Sequence, residues 1–278
     1  MTENQHGAAT CPARYAGRRV LITGGSRGIG RAIAERVAAE GAATIITHFR
    51  DGAAAAATLE RLAAISHAAG FDAVAHRAED ADVADEAAMD AVFARAFAIG
   101  RLDVLVNNAG IQKEQTQGHE LDLAAFERVI AVNLISVASC AARAIRHFLD
   151  HGGGVIVNIS SVHEIVPKPG YLSYSAAKGG VGNITRTLAL EYAGRGVRVN
   201  AVGPGATITD MNASWIDDSV RRAAVCAHIP MGRPAEAAEI AAVTAFLASD
   251  DASYVTGQTI MACGGLSLYG DFAQNWAS

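Results

Sequence analysis

Cysteine is scarce in this chain and scattered. Cys11, Cys140, Cys226 and Cys263 are the four in 278 residues, and no two stand at CxxC spacing. They are not a zinc set, and a disulfide framework is not expected in a chain of this size. Long apolar runs are missing too. No stretch approaches the roughly 18 apolar residues of a membrane span, and the opening MTENQHGAATCPARYAG has no apolar core of the kind a secretory leader carries. Charge is thin, at 18% of residues, with a formal net charge of -5 and a pI near 6.0. That balance gives no sign of a nucleic-acid or polybasic membrane surface. Together these absences read as a soluble, reduced, cytoplasmic protein with a small-molecule substrate and neither nucleic-acid nor membrane partners. What abounds is apolar side chains, 51% of the total, enough for a sizeable core and inconsistent with disorder.

Residues 1–16 are small and polar without periodicity and read as a mobile N-terminal tail, leaving 17–278 as one domain. Within it, β-branched runs alternate with Ala-rich amphipathic stretches. The runs are 19–23, 43–49, 72–76, 102–107, 154–160, 197–202 and 258–262; the helical stretches are roughly 28–40, 52–69, 84–99, 122–150, 174–194 and 236–249. Seven strands alternating with helices predict an α/β fold, a doubly wound parallel sheet with helices on both faces. Ligand is then expected in the crevice at the strands' C-terminal ends. No linker, repeat or shift of composition divides the chain.

The first strand runs into TGGSRGIG, residues 23–30, which opens the helix RAIAERVAAE. A glycine loop between strand and helix lets backbone approach a pyrophosphate, whose charge the helix N-terminus stabilises. Gly24, Ser26, Arg27, Gly28, Ile29 and Gly30 are therefore candidate dinucleotide contacts in a Rossmann-type domain. An acidic residue at the end of strand two would bind a ribose 2′-hydroxyl and repel a 2′-phosphate. Here the text is THFRDG, with Arg50 ahead of Asp51. Arg50 and Arg27 converging on one phosphate favour NADP; NAD use, and a reading of both arginines as solvated surface charge, stay open. After strand three, Asp82 and Val83 are the candidate adenine contact, with Asp80 a competitor and a solvated helix start the plain alternative. Strand four ends in NNAG, where Asn108, Ala109 and Gly110 border the cofactor or form an ordinary turn.

Tyr174 and Lys178 lie four residues apart at a helix start, on one face and one turn apart. An ammonium beside a phenol favours the phenolate, so the tyrosine pKa is expected below its usual value of about 10. Ser161 follows the apolar run VIVNIS at a strand end. A hydroxyl, a proton-passing tyrosine and a lysine suit carbonyl–alcohol interconversion, given a hydride source. Asn133 stands mid-helix among apolar residues, an expensive place for an amide. It either orders a water near Lys178 or repairs a helix bulge.

TGGSRGIG, NNAG, Val132–Asn133, Ser161, YSAAK at 174–178 and GPGATIT at 203–209 resemble the motif set of the short-chain dehydrogenases/reductases, in order and over nearly the whole chain. The resemblance implies Tyr174 as general acid/base, Ser161 hydrogen-bonding the substrate oxygen, and Lys178 also holding the nicotinamide ribose. It further implies Asn133 supporting a water, and Pro204, Gly205, Thr207 and Thr209 wrapping the nicotinamide. It implies a homotetramer paired through the helices at 122–150 and 174–194, whose apolar circumference agrees with that. SSVHEIVPKPG, LALEYA, IPMGR and ASYVTGQT are similar to the bacterial glucose 1-dehydrogenase branch. That implies a sugar or polyol substrate bordered by Gln112, Ser161, His163, Tyr171 and Tyr174. Two departures stand out from the branch: Gln112 in place of an acid, and Lys168 in place of an aromatic. Lys168 either favours an anionic substrate or points to water, and Cys263 before the paired glycines reads as a small buried thiol. The region 207–235 lacks a strand pattern and reads as a lid, in which Met211, Trp215 and Ile216 either line the pocket or pack the lid itself. Two other functions compete: reduction of a 3-oxoacyl or other keto group, and nucleotide sensing without catalysis.

Overall fold

The computed structural model describes residues 13–113 and 118–268. The strands are β1 (Arg19–Ile22), β2 (Ala43–His48), β3 (Arg77–Asp80), β4 (Val104–Asn107), β5 (Gly154–Ile159), β6 (Val197–Pro204), β7 (Thr207–Ile208), β8 (Ala235–Glu236) and β9 (Thr259–Ala262). The helices are α1 (Gly28–Ala39), α2 (Gly52–Ala68), α3 (Glu86–Ala98), α4 (Leu123–Ile130), α5 (Ser136–Asp150), α6 (Leu172–Tyr192), α7 (Ala213–Ile216), α8 (Ser219–Cys226) and α9 (Ala237–Ala248).

Seven strands form one parallel sheet in the order β3-β2-β1-β4-β5-β6-β9. The apolar runs of β1, β2, β4, β5 and β6 are buried on both faces, as a covered parallel sheet requires. Alternation divides each strand between two apolar layers. Val20 and Ile22 pack with Val106, Val157, α1 and α9; Leu21 packs with Leu105, Ile156, Phe93 of α3 and Phe148 of α5. Strand order reverses between β1 and β4, which places the ligand crevice at their C-terminal ends.

The structure corrects the expected outline in three places. Strand β3 is Arg77–Asp80 rather than 72–76, paired through Ile45↔Arg77 to His48↔Asp80. It is one of the sheet's two edge strands and pairs on one side only; His76 before it binds Thr44 Oγ1 (2.8 Å) and Ser66 Oγ (3.0 Å). The tail is not free up to residue 16: Tyr15 is fully buried, donating to the Ala245 carbonyl, and Arg14 is paired with Glu40. Residues 1–12 lie outside the described residues. The lid does carry strands, since β7 and β8 pair in parallel through Thr207↔Ala235 and Ile208↔Glu236. Two residues apiece are too few to show a period.

The predicted helix at 122–150 is a rod of α4, a π-helical turn Ala131–Ile135, and α5. Among the described residues it alone has the length and hydropathy of a membrane-crossing helix, and 33% of its most apolar window is buried inside the fold. Val132, Cys140, Ala141, Ala144 and Phe148 supply its inner face.

Candidate active site

The glycine loop leaves β1 through Thr23, whose Oγ1 accepts from the backbone N–H of Asn108 (2.9 Å) and of Ala109 (3.0 Å). The Asn108 amide donates to the carbonyls of Thr23 and Gly24, both at 2.9 Å. Asn108 thus spends its side chain tying the loop to β4. At Gly30 a Cβ would come 2.2 Å from the Gly24 oxygen, and at Gly24 (φ +65°) 2.9 Å from Ala109 Cα, so both positions demand glycine. Helix α1 then begins with no side-chain cap from Arg27 and no acid in its first turn. Its leading N–H groups are therefore left for an anion, and the residues present fit a dinucleotide pyrophosphate.

At the end of β2 the Arg50 guanidinium lies 4.9 Å over the Phe49 ring, and the Arg50 N–H donates to Asp80 Oδ1 at 3.0 Å. Arg27 sits 3.8 Å from Asp51 Oδ2, which also accepts from Ser26 Oγ at 3.3 Å. Both arginines are therefore exposed on the rim between glycine loop and β2, with Asp51 beside Arg27. Val83 is buried, while Asp82 is ion-paired with Arg128 (2.7 Å) and accepts from the Ala84 N–H (3.0 Å).

Across the crevice, β5 delivers Ser161 and α6 delivers Tyr174 and Lys178. Ser161 Oγ accepts from the His163 N–H at 3.1 Å and hydrogen-bonds Tyr174, drawing that phenol's pKa down. Burial is the larger influence and carries it above its ordinary value. The expected fall is therefore not met. The Lys178 ammonium lies 5.6 Å from the Tyr174 ring centroid and donates to the Ile159 carbonyl at 2.7 Å, so it does not grip the phenol. Lys178 is itself pushed down by burial to about 8, opposed by the charge of Glu164.

Asn133 is fully buried in the π-helical turn. Its Oδ1 accepts from Ile111 N–H and its Nδ2 donates to Ile111 O, both at 2.8 Å. Of its two expected roles the side chain performs the structural one, fastening the loop after NNAG to the bulged helix; Gly110 lies against the same amide.

His163, Tyr171 and Tyr174 form an aromatic triangle with centroids 6.0, 6.2 and 6.4 Å apart. His163 Nδ1 binds the Val166 carbonyl at 2.9 Å, which fixes the Nδ1–H tautomer and leaves Nε2 as an acceptor. Burial, aided by Lys168, pushes its pKa down, so the ring is neutral. Gln112 Nε2 donates to Tyr171 OH at 2.9 Å, and exposed Lys168 carries its ammonium 3.8 Å over the Tyr171 ring.

Beyond β6, a Cβ on Gly205 would come 2.9 Å from Cys263 Cα, and buried Thr207 donates to Gly205 O at 3.1 Å. Cys263 is the small buried thiol expected, its sulfur accepting from the Ser267 N–H at 3.4 Å. Thr209 reaches the glycine loop at Gly28, where a Cβ would stand 3.5 Å from its methyl. Ile216 lines a cavity with Gly28, Arg31 and Glu35 of α1, on the dinucleotide side of the lid; Met211 is half exposed.

The family model described as enoyl-(acyl carrier protein) reductase matches residues 24–267. The chain belongs to the short-chain dehydrogenase/reductase family. It is 48% identical to glucose 1-dehydrogenase of Gluconobacter oxydans, over 95% of this chain and 97% of that one. It is 45% identical to 3β-hydroxysteroid dehydrogenase 1 of Eggerthella lenta, over 92% and 96%. Its fold matches gluconate 5-dehydrogenase from Burkholderia cenocepacia, solved with NADP and tartrate, at a TM-score of 0.83 and 32% identity, covering 92% of this chain and 98% of that one. Members of the short-chain family transfer hydride between a nicotinamide cofactor and a CH–OH carbon, and this chain is an oxidoreductase of that kind.

Several residues that shape the site escape a reading of the sequence. Thr23 heads the glycine motif without showing which backbone groups it binds, Asp51 looks like loop filler, and Arg128, which claims Asp82, is 46 positions away from it. Asn107 and Asn158 hydrogen-bond across β4 and β5 at 2.9 Å inside the sheet. A polar residue at the same place in two apolar runs was the available signal.

Proposed function

We propose that this short-chain dehydrogenase/reductase is an NADP-preferring dehydrogenase of a sugar or polyol hydroxyl, working as a cytoplasmic homotetramer. The observation that carries the reading is the convergence of Ser161, Tyr174 and Lys178 beside a neutral His163, opposite a glycine loop rimmed by arginines. His163 Nε2, the Gln112 carbonyl and Tyr171 offer a wall of hydrogen-bonding groups suited to neighbouring hydroxyls. The names of the relatives, glucose 1-dehydrogenase among them, and the NADP in the gluconate 5-dehydrogenase support the same class.

When bound, the dinucleotide supplies the hydride acceptor or donor. Gly24, Ser26, Gly28, Ile29 and Gly30 receive its pyrophosphate, Arg27 and Arg50 its 2′-phosphate, and Asp82 and Val83 its adenine. Asn108, Ala109 and Gly110 wall the crevice, while Pro204, Gly205, Thr207 and Thr209 enclose the nicotinamide end. Ser161 donates to the substrate oxygen. Tyr174, its phenol form favoured by burial, gives its proton to a carbonyl oxygen during reduction, leaving a phenolate; in the oxidative direction that phenolate takes the proton from the alcohol. Lys178 binds the ribose and, titrating at about 8, can release and recover a proton near neutral pH. Asn133 holds the bulged turn on the path outward. We place the lid at 207–235 and the domain across 17–278, joined by residues 13–16.

Tetramer pairing through the rod and α6 is supported by their outer faces, where Leu123, Ile135, Leu172 and Leu190 are 58%, 55%, 49% and 87% exposed. Light scattering that returned a monomer would remove that part. The functional test is the initial rate of reduced-cofactor formation with NADP and NAD against aldoses, polyols and secondary alcohols. Oxidation of an aldose or polyol, faster with NADP, is expected. Activity confined to an acetoacetyl thioester in the reducing direction would replace the reading with a 3-oxoacyl reductase. Dinucleotide binding without turnover of any substrate would replace it with a sensor.

A further inference from the structure

One acid stands behind the reaction centre with no role in the proposal above, on which this inference rests. The Glu164 side chain is 3% exposed. Ser160 Oγ donates to its Oε2 at 2.7 Å, and Thr259 Oγ1 lies 3.1 and 3.3 Å from its two oxygens. Arg186, half exposed on α6, approaches Oε1 at 3.5 Å only. Room for the carboxylate exists because residue 182 is glycine: a Cβ there would stand 2.1 Å from Oε1. Gly182 is four residues after Lys178, one turn along the same helix face. Ser160, which holds the acid, also lies 3.5 Å from the Lys178 carbonyl, and its neighbour Ile159 accepts the Lys178 ammonium. A buried carboxylate is thus fixed beside a buried lysine without touching it.

Other charges are turned away. On α4, Arg128 is engaged by Asp82 and Glu127 is exposed. On β6, Arg198 donates to the Leu247 and Ser249 carbonyls. In the turn that carries Glu164, His163 is neutral and bound to Val166. On α6 itself Tyr174 is a phenol, Arg186 is half exposed and meets Glu164 at 3.5 Å, and Glu191 is exposed. Among the described residues, Glu164 is the charged group that opposes the effect of burial on Lys178. A buried amine with no counter-charge gives up its proton readily; a fixed carboxylate nearby opposes that.

We propose that Glu164 is a positioning residue for proton transfer: held by Ser160 and Thr259 in the space Gly182 leaves, it acts through Lys178 to keep that side chain an ammonium beside Tyr174. Hydride chemistry is unchanged by this; what Glu164 sets is the pH range over which the lysine keeps its charge.

The test is the pH profile of kcat/KM for carbonyl reduction, with dinucleotide affinity and thermal unfolding measured on the same samples. A wild-type profile with turnover comes first; its absence would sink the functional reading and not this one. In Glu164→Gln, which keeps the size and an acceptor, the alkaline limb is expected to move down by about one pH unit. Glu164→Asp should return it most of the way. Arg186→Gln, which leaves the carboxylate and removes its competing cation, should move the limb slightly upward. A Glu164→Gln profile superimposable on wild type, with any loss confined to kcat or unfolding temperature, would show that the acid only braces the fold. Should that variant fail to fold, an unmoved limb in Arg186→Gln overturns the proposal.

Discussion

Lys178 makes a stability prediction that can be worked from its surroundings. It is buried with its ammonium on a single carbonyl, and its pKa falls from 10.5 to about 8. Each unit of displacement is about 1.4 kcal/mol, so holding the charged form in place costs about 3 kcal/mol against the unfolded chain. The sign follows from proton counts. Below pH 8 both states carry the proton and the whole penalty applies. Between 8 and 10.5 the unfolded chain holds the proton that the folded one has released, so the Lys178 contribution to stability rises with pH. In Lys178→Met that rise disappears. The Ile159 carbonyl loses its donor in the variant, but this loss is independent of pH and drops out of the comparison. Burial raises Cys140 to about 12 and also raises Tyr174, and both pull stability down at alkaline pH. They are present in both proteins and cancel to first order. Urea unfolding of the dinucleotide-free proteins at fixed concentration, from about pH 7 to about pH 10, should show wild type gaining about 2 kcal/mol on the variant. Curves that stay parallel, or a wild type that loses ground, would refute the claim that burial without close pairing governs this lysine.

Other outcomes follow from the same geometry. Tyr174→Phe should lower kcat by about 10³-fold with dinucleotide affinity retained, as read by steady-state rates and fluorescence titration. Arg50→Ala should weaken NADP binding by about tenfold and leave NAD unchanged; equal weakening of both would mean the arginine meets no 2′-phosphate. Gly30→Ala puts a methyl 2.2 Å from the Gly24 oxygen, and should abolish dinucleotide binding while lowering the unfolding midpoint. Lys168→Gln should reduce kcat/KM for carboxylate-bearing polyols by several-fold, on the order of 1 kcal/mol, and spare neutral ones. Parallel changes would mean that the lysine serves only to pack Tyr171.

The sheet was legible because β-branched runs such as VLVN and VIVN are what a strand covered on both faces must be made of. Edge strand β3, written RAED, carries no such run, and the apolar run DAVAH beside it misled. Tyr15 was lost in a polar leader because its partner, the Ala245 carbonyl, is 230 residues away. In the site, Gly24, Gly30, Ser161, Tyr174 and Lys178 were readable from spacing because each answers a local steric or chemical need. The direction of the tyrosine shift was not, since two residues one turn apart reveal proximity but neither burial nor the carbonyl that claims the ammonium. Glu164 is held through tertiary partners, which no local pattern carries.

The buried Tyr15 also has a consequence for synthesis. Its acceptor lies in α9, and strand β9, which closes the sheet beyond β6, comes later still. At about 5–20 residues per second, roughly 10–50 s separate the emergence of the tyrosine from that of its partner. Through that interval the early half of the chain leaves the ribosome with one face of β1 and α1 uncovered. Among the described residues α9 and then β9, not the nucleotide loop, complete the cover over the core of the nascent chain.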